Sequence, residues 1–323
     1  MNRRFALIQA LVSLIALAAV IWWAAHQEAP ELPSGAGDIA WLGAALGLYA
    51  LATLVRGERW HHILGLAGVK TRRGDCYALT TVGYMGNNVL PARAGEALRV
   101  VLLSGRCGAS KRTLLGSVVA ERLLDVIALG AIFVVVVYGV LSSSVLPTDR
   151  PLLVSGIGVL LLILGAGVVW MLRRHHVFER IRDWLRPLAD APRALLRREG
   201  VVLLLATFVL WSFEAGVYLA VARSVDLGIS ATGALYLVAL TNFVAALPAA
   251  PGSIGTFDAA VAWGAGRLGA SGSASLSYLI LLRFVLYVPI TVVGFVVLVT
   301  RYGGWSRLRS AVRLDAGAEA SRA

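Results

Sequence analysis

Six apolar runs dominate the chain, and each is close to or beyond the ~20 residues that cross a hydrocarbon core roughly 30 Å thick. They are Phe5–Ala25, Ile39–Val55, Thr113–Leu141, Pro151–Leu172, Val201–Ala222 and Ser275–Thr300. In lipid the backbone must satisfy its own polar groups, so runs of this length are expected as helices. The expected fold class is an all-α integral membrane protein. Composition agrees: 58% of the 323 residues are hydrophobic and 15% charged, with a mean hydropathy of +0.77. Those values exclude an ordinary soluble domain and a disordered chain. The first run reads as a retained anchor and not a signal peptide, because its apolar core is long and a proline-rich loop containing glutamate follows.

The formal charge of +12 is distributed unevenly. Of the 30 Lys and Arg, 23 fall at the N-terminus, in Arg56–Arg73, Arg106–Arg112 and Arg173–Arg198, and in the tail from Arg301. The loops between carry only Arg150, Arg223 and Arg267, and four more lie inside apolar segments: Arg93, Arg99, Arg122 and Arg283. This asymmetry follows the positive-inside rule and places both termini in the cytoplasm. Basicity then reflects topology and attraction to anionic lipid, and no nucleic-acid partner is expected. Cys76 and Cys107 fall on the reducing side and are expected as free thiols. No His/Cys/carboxylate spacing suits a metal, His61-His62 and His175-His176 included, and no cofactor is expected.

Threading the runs alternately leaves two segments that begin and end on one side. Tyr77–Ser104 is flanked by cytoplasmic charge, so it is either a tight pair of crossings or a re-entrant hairpin, and Leu235–Leu268 enters from the opposite face. The chain divides into halves of about 1–148 and 149–310 with the same element order in opposite orientation. The expected architecture is an inverted-topology repeat in one transmembrane domain, residues 1–310. It has six full transmembrane helices and two re-entrant broken-helix hairpins, with 311–323 as a disordered cytoplasmic tail. In transporters of this kind, interrupted segments at matching positions mark the substrate site.

The interruptions match in sequence: "NNVLPARAGEALR" runs from Asn87 to Arg99, and "NFVAALPAAPGSIGTFDAA" from Asn242 to Ala260. Each has an Asn, then Leu-Pro, then a Gly followed within three residues by a carboxylate, Glu96 or Asp258. Proline at 91, 248 and 251 breaks a helix, and Gly95, Gly252 and Gly255 permit the backbone shapes a break needs. Broken backbone at membrane depth must be buried in protein or line a wet cavity. A restarting half-helix presents free N–H groups and a positive end, which suit an anion. Asn88, Arg93, Glu96, Arg99, Asn242 and Asp258 are therefore the candidate substrate-binding residues. Arg93, Glu96 and Arg99, at i, i+3 and i+6, form one stripe if the half-helix starts near Pro91. The alternatives are that Glu96 merely neutralises the two arginines and that Asp258 is a first-turn acid following a Thr256 cap.

Intramembrane ionisable residues default to function. "ERLLD" puts Glu121, Arg122 and Asp125 on one broad helix face with a deficit of positive charge, and Arg283 in "LLRFVLY" is the obvious candidate to make it up, with Tyr287 one turn on. Glu214 in "WSFEAGVY" is either a proton-relay acid or a partner for Arg283. These residues form a candidate gating or ion-pair network, and a purely bundle-locking role is equally open. Arg173–Arg198 reads as an amphipathic helix on the inner leaflet. No phosphate loop, GxSxG, dinucleotide fingerprint or HExxH is present, so no catalytic residue is assigned and a transporter, not an enzyme, is expected.

The four ordered motifs "NNVLPARAGEALR", "ERLLD", "LPAAPGSIGTFDAA" and "RFVLY" resemble those of the lysylphosphatidylglycerol synthase transmembrane-region family, the flippase-like domain proteins. The resemblance spans about Ile39 to Thr300. It implies a bacterial or archaeal inner-membrane protein with two re-entrant segments that moves lipids between leaflets. The motif positions carried over are Asn88, Pro91, Arg93, Gly95 and Glu96, then Glu121, Arg122 and Asp125, then Pro251, Gly252, Gly255 and Arg283. One departure is Asp258, where the family commonly has Glu. The sequence ends at Ala323 without the soluble aminoacyl-transfer domain of the best-known members, so synthase activity is not carried over. The expected function is translocation of a phosphate-bearing lipid through a polar cavity between the hairpins. The alternatives are an ion- or proton-coupled transporter of a small anion and an accessory or scaffold subunit. Expected partners are a membrane phospholipid or polyprenyl-linked lipid, a separately encoded lipid- or glycan-synthesising enzyme, and a second copy in a homodimer.

Overall fold

The computed structural model describes residues 14–15, 17–26, 29–30, 33–90, 93–139, 198–245, 250–270 and 272–304. Among them the secondary structure is entirely helical. Eight α-helices follow in order: α1 (Ala36–Leu66), α2 (Arg73–Val89), α3 (Gly95–Cys107), α4 (Lys111–Gly139), α5 (Arg198–Arg223), α6 (Ala231–Ala245), α7 (Thr256–Arg267) and α8 (Gly272–Tyr302). A 3₁₀ turn, Pro251–Ser253, precedes α7. The Pro151–Leu172 run, the amphipathic segment before Arg198, Pro91 and Pro248 lie outside the described residues. Of the first run, residues 17–25 are helical.

Among the described residues, three helices are long and apolar enough to cross a membrane: Ala36–Leu66, Arg198–Arg223 and the Ala274–Tyr302 part of α8. Their outward faces are aliphatic and uncovered, as Leu51, Leu54, Val201, Leu205, Val292 and Val296 show. Water would penalise such a surface, whereas hydrocarbon leaves it at no cost. Helix α4 has the same length class but carries Glu121, Arg122 and Asp125 in its middle turns.

The shorter helices pair into two antiparallel hairpins. In the first, Gly83 and Gly86 of α2 lie against Arg99 and Gly95 of α3. A methyl group on Gly95 would stand 1.9 Å from the Gly83 carbonyl oxygen, so only glycine allows these backbones to meet. In the second, Gly264 of α7 packs on Leu237 and Leu240 of α6. At 1.5 Å per residue none of these four helices exceeds roughly 26 Å, short of a full crossing.

Packing repeats through the molecule. Exchanging α1–α4 for α5–α8 preserves the principal helix pairs: α2–α8 becomes α6–α4, α1–α2 becomes α5–α6, α3–α4 becomes α7–α8, and α1 with α5 maps onto itself. One apolar core joins α1, α4, α5, α6, α7 and α8. A second surrounds the first hairpin, where fully buried Trp60 donates to Ser117 Oγ at 2.9 Å.

Candidate functional site

The two breaks face one another across a cavity of about 100 Å³. Its first half-lining comes from Tyr84, Asn87, Asn88 and Arg93, and its second from Asn242, Gly252, Ser253 and Tyr287; Tyr49 and Glu214 close it from α1 and α5. Each break contributes a non-glycine residue in left-handed backbone, Arg93 at φ 53° and Ser253 at φ 50°. Such conformations cost about 1 kcal/mol or more and persist where the surroundings hold them. Before the first break, Leu90 is extended (φ −94°, ψ 147°), as a residue preceding proline must be.

Asn88 Nδ2 donates to Thr291 Oγ1 at 2.9 Å, tying the first break to α8. Asn242 lines the cavity while its Nδ2 donates to the Val238 carbonyl of its own helix, at 2.9 Å. At the second break Asp258 accepts the Gly255 N–H at 2.9 Å, capping α7 from its third position, so Gly255 is the cap residue and not Thr256. The same carboxylate takes Arg283 side-on, and Arg283 Nη1 also reaches the Gly252 carbonyl oxygen at 3.3 Å.

The Arg93/Glu96/Arg99 stripe does not face the gap as a unit. Helix α3 begins at Gly95, so Arg93 precedes it in left-handed backbone and helical spacing does not reach back to it. Arg93 lines the cavity. Glu96 instead meets Arg122 Nε at 3.3 Å. Arg99 is buried, pairs with Glu121 and lies over the Trp60 ring at 4.5 Å.

The "ERLLD" face also finds different partners from those expected. Arg283 binds Asp258, and the missing positive charge comes from Arg59 and Arg99. Arg59 donates to Asp125 at 2.7 Å and to Thr207 Oγ1 at 3.0 Å, with Glu121 at 3.7 Å. Arg122 closes the network onto Asp125 at 3.4 Å. Glu214 pairs with Arg56, whose guanidinium lies over the rings of Tyr84 and Trp211. Arg56 and Arg59 are only 4% and 3% exposed, so both belong to the bundle interior and not to the interfacial charge of Arg56–Arg73. Their signal was present: two arginines at i, i+3 beside Trp60, continuing an apolar run in helical register.

The hairpin ends are tied on one side. Asp75 at the start of α2 accepts from Arg106 at the end of α3 (3.1 Å) and from Arg301 at the end of α8 (2.9 Å).

Helical bundle, lipid-facing aliphatic surface and buried charge together define a multi-pass membrane protein. Residues 7–294 match the family model described as lysylphosphatidylglycerol synthase TM region, and the chain belongs to that family. Among curated proteins it is similar to Glycosyltransferase AglD of Haloferax volcanii, at 26% identity over 147 residues. That stretch is 46% of this chain and 23% of the relative, so the match spans about a quarter of that protein's length. No solved structure matches.

Proposed function

We propose that the protein is an inner-membrane lipid translocase of the flippase-like type, non-enzymatic, with both termini in the cytoplasm. The two hairpins act as re-entrant elements of an inverted repeat. Supporting this reading are their sub-membrane length, the tethering of both ends of the first hairpin to the end of α8, and the preserved helix pairing when the halves are exchanged. A phosphate-bearing headgroup occupies the cavity between them while its tails stay in lipid.

One observation carries the ligand's sign. Around the cavity and the ion-pair network stand six arginines, Arg56, Arg59, Arg93, Arg99, Arg122 and Arg283, against five carboxylates, Glu96, Glu121, Asp125, Glu214 and Asp258, and Arg93 is the exposed one at the cavity. Every carboxylate has an arginine partner, and every arginine except Arg93 has a carboxylate among the described residues. Arg93 is exposed and free of a close carboxylate, and a guanidinium so placed is suited to a two-point contact with a phosphate. The unmatched cation lines the cavity. The AglD match favours a second reading, an accessory subunit for a glycan- or lipid-modifying enzyme. Reconstitution into liposomes with labelled lipids separates the two. Headgroup-selective scrambling that stops in Arg93→Ala supports translocation. Scrambling-free vesicles, with Arg93→Ala, Glu96→Gln and Arg283→Ala all functional in cells, support the accessory role.

A further inference from the structure

We infer that a second cavity, at the ends of the first hairpin, binds a phosphate group bearing more than one negative charge, which bridges the turn before α2 to the end of α3. The site lies apart from the cavity between the breaks and does not depend on what that cavity carries.

This second cavity measures about 550 Å³, within the roughly 300–1,000 Å³ of ligand clefts. Lys70 and Arg72, from the turn between α1 and α2, line one side of it. Arg106 and Cys107, the last residues of α3, line the other. Thr71, Asp75 and buried Leu103 complete the lining.

Cations converge here from two segments, and the acid beside them is already engaged. Asp75 is buried, and its Oδ1 accepts from Arg106, from Arg301 and, at 3.4 Å, from the Tyr302 hydroxyl. Glu58, close by on α1, is held by His62, Arg73 and Tyr77. The Thr71 hydroxyl is spent on His61 Nδ1 at 3.0 Å. Lys70 and Arg72 line the cavity with no carboxylate partner among the described residues. Four cations, Lys70, Arg72, Arg106 and Arg301, thus meet one acid, Asp75. Helix α2 also begins here with no side-chain cap, which adds partial positive charge. A phosphomonoester, with about 1.5 to 2 negative charges at neutral pH, or a diphosphate matches this excess better than a singly charged phosphodiester.

Arg106 is prepared for such a contact. It lies over the Tyr302 ring at 4.6 Å, and gives Nη1 to Asp75 and Nη2 to the Arg301 carbonyl. A guanidinium has further N–H donors, so the clasp at Asp75 and a bound anion are compatible. The same phosphate chemistry occurs on a lipid of the adjoining leaflet and on a soluble metabolite, and the test separates the two sources.

Half-exposed Cys107 lines the cavity, so its maleimide labelling reports occupancy locally. The purified full chain is labelled in neutral detergent with and without inorganic pyrophosphate, and in phosphatidylcholine nanodiscs with and without phosphatidic acid. Sodium chloride holds the ionic strength equal throughout. With probe at about ten times its half-saturating concentration, labelling is expected to slow about tenfold. Protection by pyrophosphate alone assigns a soluble ligand, by phosphatidic acid alone a membrane lipid, and by both the phosphate group itself; each accords with the inference. Lys70→Gln with Arg72→Gln, two exposed side chains, is expected to abolish protection, as is Arg106→Gln, with unfolding temperatures confirming that both variants fold. Arg73→Gln removes a neighbouring cation that Glu58 holds at 3.2 Å and that does not line the cavity, so it should keep protection. Labelling that neither probe slows, or that slows equally in either loss variant or under added sodium chloride alone, overturns the inference. Loss of protection in Arg73→Gln also overturns it, by reducing the effect to general surface charge.

Discussion

Arg283 grips Asp258 side-on, Nε to Oδ1 at 2.6 Å and Nη2 to Oδ2 at 2.8 Å, while the same carboxylate accepts the Gly255 N–H. One aspartate thus fixes the start of α7, the second break and the middle of α8 together. Lysine cannot reproduce a two-point grip, so Arg283→Lys is expected to lose most of the coupling. Arg283→Ala should cost about 3 kcal/mol of stability through the abandoned buried carboxylate. The departure from the family's usual Glu is accommodated by this geometry, in which a short side chain serves cap and arginine at once. Asp258→Glu is therefore expected to be intermediate, its extra methylene pushing the carboxylate off one of the two. Thermal unfolding in detergent, with a double-mutant cycle, measures each; wild-type stability for Arg283→Lys would refute the assignment.

The Arg56–Glu214 pair separates structural from functional charge. Removing one partner leaves the other buried and alone, so Arg56→Met and Glu214→Gln are each expected to destabilise by about 3 kcal/mol. Replacing both by apolar residues of similar size, Arg56→Met with Glu214→Leu, is expected to recover most of that loss, because well-packed apolar pairs often substitute for buried ion pairs. Glu214 also lines the cavity. The folded double variant should therefore still lose transport in proteoliposomes. Transport at the wild-type rate in that variant would reduce the pair to a bundle lock.

The sequence makes local features legible and tertiary ones far less so. Helices α4, α5 and α8 follow the apolar runs to within a few residues, because apolar length in lipid leaves no other backbone solution. The breaks are legible because proline and glycine act on their own neighbours, as extended Leu90 and the left-handed glycines at 252 and 255 show. The Arg122–Asp125 contact at i, i+3 is likewise local. Charge partners brought together by packing were not: nothing in the spacing of Arg59 says that it meets Asp125, 66 positions on. Helix α1 runs to Leu66, well past Val55, because its late charges face the bundle and not the interface.

Cysteine chemistry gives a test independent of transport. Cys76 is buried near the start of α2, and desolvation pushes its thiol up to about 11. Alkylation needs the thiolate, so at pH 8 only about one molecule in a thousand is reactive there. Half-exposed Cys107 is expected to take maleimide rapidly while Cys76 stays unlabelled. Because folding raises the Cys76 value, labelling there should climb about tenfold per pH unit above 8. In oriented vesicles an impermeant maleimide should reach Cys107 only from the cytoplasmic face. Labelling from the opposite face would reverse the proposed orientation.

The first hairpin depends on a close backbone approach, and two glycines of one helix test it. A methyl at Gly95 would stand 1.9 Å from the Gly83 carbonyl oxygen and 2.5 Å from the Asn87 nitrogen, both backbone atoms that cannot swing aside. Gly95→Ala is therefore expected to part α2 from α3, move Arg93 out of the cavity and abolish headgroup-selective scrambling. Gly105 lies nearly three turns further along α3 with open space where its Cβ would stand. Gly105→Ala should be harmless or stabilise by up to about 1 kcal/mol through helix propensity. Size-exclusion profiles and unfolding temperatures of the two variants make the comparison within a single helix. Equal tolerance at both positions would mean that the limbs are not in contact, and the hairpin with its cavity would fall.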